Sequence, residues 1–130
     1  MAIMKFREKN RVKWMGVRPA HDGEQVTPAG SANNATVIVY TVPAGKTLYI
    51  THYAVQCTPN LAGSGYFAIR NELDVLTYRF QYLENIVGAP SLIESCSFVY
   101  PVEVPAGYDL YVNSNLLGFW VRVAAIGWIE

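Results

Sequence analysis

The chain has 130 residues, of which 52% are apolar and 15% are charged, and its ten basic side chains balance its ten acidic ones. This length predicts one domain with a core large enough to fold without metals or disulfides. Because the charged fraction is low, we expect partners to cover some apolar surface. No apolar run is long enough for a signal peptide or a membrane span, which predicts a soluble, non-exported protein without a membrane partner.

The first eighteen residues form a basic arm. It contains six basic residues and one acidic residue, Glu8, so its net charge is +5. Because the whole chain is neutral, residues 19–130 have a net charge of −5. The odd positions from 5 to 13 are basic, and the apolar residues Met4, Phe6, Val12 and Trp14 fall on even positions, which is the period of an extended strand. We predict that Met1 to Arg18 lies across a neighbouring subunit and that Val12 to Val17 is a strand. The predicted interface residues are Lys5, Phe6, Arg7, Lys9, Arg11, Val12, Lys13 and Trp14.

A polar stretch, His21 to Asn34, follows the arm. It contains Asp22-Gly23, Pro28-Ala29-Gly30-Ser31 and Asn33-Asn34, all of them typical of turns and loops. We interpret this stretch as a linker. The predicted organisation is therefore a basic arm and loop over residues 1–34 and a β-sandwich domain over residues 35–130.

A decapeptide occurs twice in the body of the chain. Val42 to Thr51 reads VPAGKTLYIT, and Val104 to Asn113 reads VPAGYDLYVN. Apolar runs precede both copies and alternating segments follow them, which predicts two strand-turn-strand units. We expect the proline at the second position of a type I turn, and positive φ angles at Gly45 and Gly107.

Beyond Ala35, short runs rich in Val, Ile, Tyr, Phe and Thr alternate with clusters of Gly, Pro and Asn, which is an all-β pattern. Together with the strand in the arm, this predicts a two-sheet antiparallel sandwich, an eight-stranded jelly roll with an extended N-terminal arm. The predicted strands of the body are Thr36 to Val42, Thr47 to Cys57, Tyr66 to Arg70, Val75 to Leu83, Ile93 to Val104, Leu110 to Val112 and Phe119 to Ile129.

Alternation predicts which side chains share a face. In Val75 to Leu83 the even positions, Leu76, Tyr78, Phe80 and Tyr82, should face the core or a neighbour. The last strand is apolar on both faces, so it is either central or covered by another subunit, and we favour partial cover by a neighbour. Trp120 and Trp128 therefore join the predicted interface.

The sequence offers little for catalysis. His21 lies in the loop and His52 lies within a strand, where a structural role is expected. The carboxylates are dispersed, and no nucleophile elbow, phosphate loop or metal-ligand spacing occurs. Cys57 and Cys96 are expected to be buried thiols. We predict a protein that is not an enzyme, with no catalytic, cofactor or metal residues.

Nucleic-acid binding and sugar binding are two further possible functions. Nucleic acid is not an expected partner, because the acidic body would repel phosphate. Sugars could stack on aromatic side chains in loops, for which Tyr66 and Tyr108 are the candidates, but packing explains most aromatic positions.

A basic start, a loop and a β domain built on strand-Val-Pro-Ala-Gly-strand units resemble the small jelly-roll structural proteins of tailed bacteriophages. The resemblance covers Thr36 to Ile129. It implies a non-enzymatic virion protein, assembled in the host cytoplasm, that binds other virion proteins such as the major capsid protein and forms a dimer or trimer. A capsid cement or decoration role is the first expectation. The alternative is a carbohydrate-binding or receptor-binding module of a tail or fibre.

Overall fold

A computed structural model describes residues 23–130, which form nine β-strands in two antiparallel sheets. The strands are β1 (Glu24–Val26), β2 (Ala29–Asn33), β3 (Thr36–Thr41), β4 (Leu48–Cys57), β5 (Gly63–Arg70), β6 (Leu76–Asn85), β7 (Ile93–Val104), β8 (Asp109–Ser114) and β9 (Trp120–Ile129). The predicted strand Val12 to Val17 lies outside the described residues. In the described part of the chain, no helix could cross a membrane.

The two sheets form the predicted antiparallel sandwich. The first sheet has the order β1-β9-β4-β7, with β2 also paired to β9, and the second has the order β3-β8-β5-β6. From β2 to β9, consecutive strands lie in opposite sheets except for the hairpin β5-β6, which is jelly-roll connectivity. Since β1 and β2 both pair with β9, they act as one interrupted edge strand.

Strands β1 and β2 correct the prediction that His21 to Asn34 is a linker. Pro28 separates the two strands, and its carbonyl oxygen accepts a hydrogen bond of 2.8 Å from the amide of Ala125. An edge strand pairs on one side only, so it tolerates the glycine and proline that made this stretch resemble a loop. The division into arm and body stays a prediction, because residues 1–22 lie outside the described part.

The core fills the space between the sheets. Its largest fully buried side chains include Phe67, Phe119, Leu48, Ile50 and Leu110. Strand β9 lies between β4 and the interrupted edge strand, so it is central in its sheet, and its apolar inner face is buried within the chain. Cover of its outer face by a neighbour stays a prediction.

Each Val-Pro-Ala-Gly segment forms a tight turn, as predicted, but of a different type. The amide of Lys46 donates to the carbonyl of Pro43 at 3.2 Å, which places proline at the first turn position. Gly45 is third, with φ of 75°, as a type II turn requires. Gly107 has φ of 83° in the second copy, so both predicted positive φ angles are confirmed, while the type I assignment is wrong.

The two repeat units pair with each other. Strand β3 pairs with β8, and β4 pairs with β7, so each turn carries the chain from one sheet to the other. We call this end of the sandwich the turn end, and it also contains the β5-β6 connection, residues 71–75. The opposite end, the loop end, consists of residues 34–35, 58–62, 86–92 and 115–119.

A bulge changes the predicted faces of β6. Phe67 pairs with Gln81 and the next residue, Ala68, pairs with Arg79, so Phe80 is an extra residue. Phe80 packs inward as predicted, with its ring centroid 4.6 Å from that of Phe67. Beyond the bulge the alternation is inverted, so Tyr82 is exposed and does not face the core.

Candidate interaction surfaces

The first of two tight turns at the loop end spans Ile86 to Ala89. The amide of Ala89 donates to the carbonyl of Ile86 at 3.2 Å, and Gly88 has φ of 88°, so this is a type II turn. The amide of Gly88 also donates to Oδ1 of Asn60 at 2.6 Å. Ile86 and Val87 are exposed, Val87 to 71%.

The second turn, Leu116 to Phe119, repeats this arrangement with different residues. The amide of Phe119 donates to the carbonyl of Leu116 at 3.0 Å, and Gly118 has φ of 87°. The amide of Gly118 donates to Oδ1 of Asn33 at 2.7 Å. Leu117 is 75% exposed. Both turns therefore present aliphatic side chains on a backbone that an asparagine holds in place.

A depression of about 200 Å³ lies on the outer face of the first sheet, next to the loop end. Trp120, 41% exposed, forms part of its wall, and the guanidinium carbon of Arg122 lies 5.9 Å from the centroid of that ring. The backbone amide of Trp120 donates to Oγ1 of Thr58 at 2.6 Å, which holds the start of β9 against the β4-β5 connection. The lining residues are Gln56, Cys57, Thr58, Pro59, Trp120 and Arg122.

The outer face of the second sheet carries a cluster of arginine and tyrosine. The guanidinium carbon of Arg79 lies 4.8 Å from the ring centroid of Tyr66 and 5.5 Å from that of Tyr82. Within residues 23–130, Arg79 forms no ion pair, whereas Nε of Arg70 lies 3.2 Å from Oδ2 of Asp109. The two rings thus hold an exposed cation whose N–H groups can still bind an anion.

Tyr111 lies at the centre of the same cluster and is almost fully buried. Its ring meets that of Tyr66 edge to face at a centroid distance of 5.7 Å. Burial raises the pKa of Tyr111, and the hydrogen bond and charge of Tyr66 raise it further, while Arg70 and Arg79 lower it. The neutral phenol is therefore part of the folded state.

One side of the sandwich is open, because β6 ends the second sheet and β7 ends the first. Strand β7 bulges there, with residues 98–101 lying opposite Thr51 alone on β4. Phe98 packs inward, 6.0 Å from Tyr53 between ring centroids, while Val99 and Tyr100 project into solvent. We call the region around β6 and the β7 bulge the open side.

Of the ten predicted interface residues, the structure describes Trp120 and Trp128. The eight arm residues lie outside the described part of the chain. Trp128 is only 3% exposed, its ring stacks on Tyr49 at a centroid distance of 5.0 Å, and its Nε1 donates to Oε2 of Glu130 at 2.9 Å. Trp120, in contrast, keeps surface for a partner. The place of both tryptophans in an interface stays a prediction.

The residues considered for catalysis or metal binding are the histidines, the cysteines and the carboxylates. His52 is exposed, with Nδ1 2.9 Å from Oγ1 of Thr51, and His21 lies outside the described residues. Both cysteines are free thiols, but only Cys57 is buried, and Cys96 is half-buried on the edge strand β7. Between residues 23 and 130, no three His, Cys, Asp or Glu side chains come together as a metal site.

The predicted strands leave connections at both loop-end turns, but neither these turns nor the cluster around Arg79 was identified from the sequence as a candidate surface. A signal for the turns is present, since Ile86-Val87-Gly88 and Leu116-Leu117-Gly118 each place two aliphatic residues before a glycine in a connection. Nothing in the sequence indicates that Arg79 meets Tyr66, because strand register brings them together.

Comparison with known proteins gives a limited match. No model of a protein family and no curated protein matches the sequence. Nine solved chains match the structure. One is a pentameric capsid protein isolated from metagenomic phage sequences, with 17% sequence identity and a TM-score of 0.47. The match covers 78% of this chain and 59% of that protein, so the chain spans less than two thirds of its length.

Proposed function

We propose that this chain is a non-enzymatic structural protein of a tailed-phage virion, a capsid cement or decoration protein that binds and stabilises a lattice of other virion subunits. The major capsid protein is the proposed main partner, and the chain itself is proposed to form a dimer or trimer. Its place is the virion, with assembly in the host cytoplasm. The proposal extends the resemblance of the repeat-containing β domain to small phage structural proteins.

The observation that carries the proposal is the amount of apolar surface on ordered backbone. Val87 and Leu117 project from the loop end, Val99 and Tyr100 from the open side, and Trp120 from the outer face of the first sheet. Aromatic and aliphatic side chains in such positions are typical of protein interfaces, where burial supplies the binding free energy. Several surfaces facing different directions suit a protein that links more than one neighbour.

The N-terminal arm is proposed to reach a neighbouring subunit. Residues 23–130 contain four cations and eight carboxylates, a net charge of −4, whereas residues 1–22 carry +4. An arm with one basic and one apolar edge can bind an acidic, partly apolar surface. Exposed ion pairs add little affinity, so the charges would set register and association rate while Phe6, Val12 and Trp14 supply affinity.

Purification of phage particles tests the proposal. We expect the chain to remain with particles through a density gradient and to cross-link to the major capsid protein. Particles made without the chain should release their DNA at a lower temperature, and adding back the purified protein should restore stability. Absence of the chain from particles, or particles of unchanged stability without it, would contradict the cement role.

A receptor-binding or carbohydrate-binding module of a tail or fibre is the second candidate. The depression beside Trp120 favours it, because an exposed indole beside Arg122 and Gln56 offers a stacking face together with polar groups. Glycan-array binding by the wild-type protein, lost in Trp120→Ala and kept in Tyr100→Ala, would support this candidate. Absence of glycan binding by the wild-type protein would leave the cement role as the better proposal.

A further inference from the structure

The two loop-end turns carry aliphatic residues at positions where turns usually carry polar residues, proline or glycine. Val87 and Leu117 each occupy the second position of a type II turn and are the most exposed aliphatic side chains of the loop end. We infer that they are a pair of apolar anchors that insert into an apolar groove of a protein partner whose rim is basic. The inference rests on the proposed function, since the partner is taken to be another virion subunit.

The backbone of each turn is fixed by an asparagine side chain from another part of the chain, Asn60 in the β4-β5 connection or Asn33 at the end of β2. Oδ1 of Asn60 accepts a hydrogen bond from the backbone amide of Gly88. The backbone amide of Asn60 donates to the carbonyl of Ala89 at 2.7 Å. Asn33 accepts the amide of Gly118 at 2.7 Å. A turn that is ordered before binding loses little conformational entropy when it binds, so most of the free energy of burying its aliphatic side chain goes into affinity.

A buried amide ties the connections of the loop end together. Nδ2 of Asn85 donates to the carbonyl of Thr58 and to the carbonyl of Pro90, both at 3.1 Å, and Asn85 is 4% exposed. The turn bearing Val87 is therefore fastened to the β4-β5 connection at Asn60 and again at Thr58. This bracing holds the exposed aliphatic side chain at a defined position relative to the sheets.

Charge decides which partner fits the anchors. The loop-end connections 58–62, 86–92 and 115–119 contain no charged residue. Glu84, near the end of β6, and Glu94, at the start of β7, are exposed beside them, whereas the nearby cation Arg122 lies against the Trp120 ring on the outer face of the first sheet. Insertion into an anionic membrane normally requires lysine or arginine near the inserted residues, and these carboxylates would be repelled. A protein groove with a basic rim complements both the apolar tips and the two carboxylates.

Single substitutions in the full-length protein test the inference. Val87→Asn and Leu117→Asn make each tip polar at a turn position that accepts asparagine. Leu73→Asn is the matched control, because Leu73 is an 81% exposed aliphatic residue in a turn at the opposite end of the sandwich. The probe is capsids purified from phage that lack this chain, and co-sedimentation measures the dissociation constant.

We expect Val87→Asn and Leu117→Asn each to raise the dissociation constant roughly tenfold or more, as loss of a buried aliphatic group does, and Leu73→Asn to leave it unchanged. Asn60 has φ of 57°, which glycine tolerates, so Asn60→Gly keeps both aliphatic side chains, removes an acceptor and should weaken binding less. Thermal unfolding confirms that each variant is folded.

Other results would overturn the inference. If the wild-type protein binds capsids and both tip variants bind with the same affinity, Val87 and Leu117 are not anchors. The proposed function would not be affected by that result. Wild-type protein that does not bind capsids would reject the proposed function and the inference with it. Flotation with vesicles of phosphatidylcholine and phosphatidylglycerol tests for membrane binding. We expect the wild-type protein not to bind these vesicles. Vesicle binding that Val87→Asn abolishes would reject a protein groove in favour of a lipid surface.

Discussion

The amide of Gly107 donates a hydrogen bond of 2.9 Å to the carbonyl oxygen of Val42, which joins the second copy of the repeated decapeptide to the first. The carbonyl of Tyr108 in turn accepts the amide of Val42 at 3.0 Å. The strand-turn-strand units that contain the two copies therefore pair antiparallel, β3 with β8 and β4 with β7, and together close the turn end of the sandwich. The repeat is a structural brace, and the surfaces proposed to bind partners lie elsewhere.

Replacing either repeat glycine with valine should destabilise the fold. Gly45→Val and Gly107→Val force a β-branched residue into positive φ, at a cost on the order of 1 kcal/mol or more. A Cβ at Gly107 would also lie 2.9 Å from Oε2 of Glu72, whereas one at Gly45 meets nothing within 4 Å. Urea unfolding measures the effect, with Ala44→Val as the control. Equal stability of both glycine variants and wild type would contradict the turn assignment.

His52→Gln should leave the biological activity intact. The side chain is exposed on β4, and its described hydrogen-bond partner is its chain neighbour Thr51. Surface substitutions of this kind usually change stability by less than about 0.5 kcal/mol. Thermal unfolding and capsid binding should both match wild type. A folded variant that lost a measurable turnover would show that the chain is an enzyme.

Deleting residues 1–11 should leave a folded β domain that assembles poorly. Residue for residue, Trp14→Ala should weaken assembly more than Lys5→Ala, Lys9→Ala or Lys13→Ala, because apolar burial contributes more than an exposed ion pair. Circular dichroism checks folding, and binding to capsids at several salt concentrations measures assembly. Unchanged affinity and salt dependence after the deletion would show that the arm has no part in assembly.

Stability should fall at alkaline pH, and Tyr111 should account for part of the loss. Burial raises the pKa of Tyr111 in the folded state above its ordinary value of 10.0, so the unfolded chain ionises first. The stabilisation is complete below pH 10 and decreases as the pH rises above it. Tyr111→Phe should make this decrease shallower in urea unfolding. An identical pH profile for Tyr111→Phe and wild type would contradict the assignment.

The sequence alone determined the all-β sandwich, most strands of the body and the reversal at each repeat. These features depend on short-range physics. Alternation of apolar residues reflects the two-residue period of a strand, and a glycine two residues after a proline marks a turn that needs positive φ. Even so, the turn type was wrong. The amide of Lys46 donates to the carbonyl of Pro43, whereas the predicted turn would be closed by the amide of Gly45 on the carbonyl of Val42.

Only the tertiary structure decided features that depend on pairing between distant segments. The interrupted edge strand exists because β9 supplies hydrogen-bond partners to residues that, taken alone, are typical of loops. The bulge at Phe80 inverts the face of Tyr82, and no local signal places a bulge. Trp120 and Trp128 lie on the same strand, yet one is exposed and the other is covered by Tyr49 and Glu130. Exposure of a tryptophan, like the meeting of Asn60 with Gly88, depends on which distant segments pack against it.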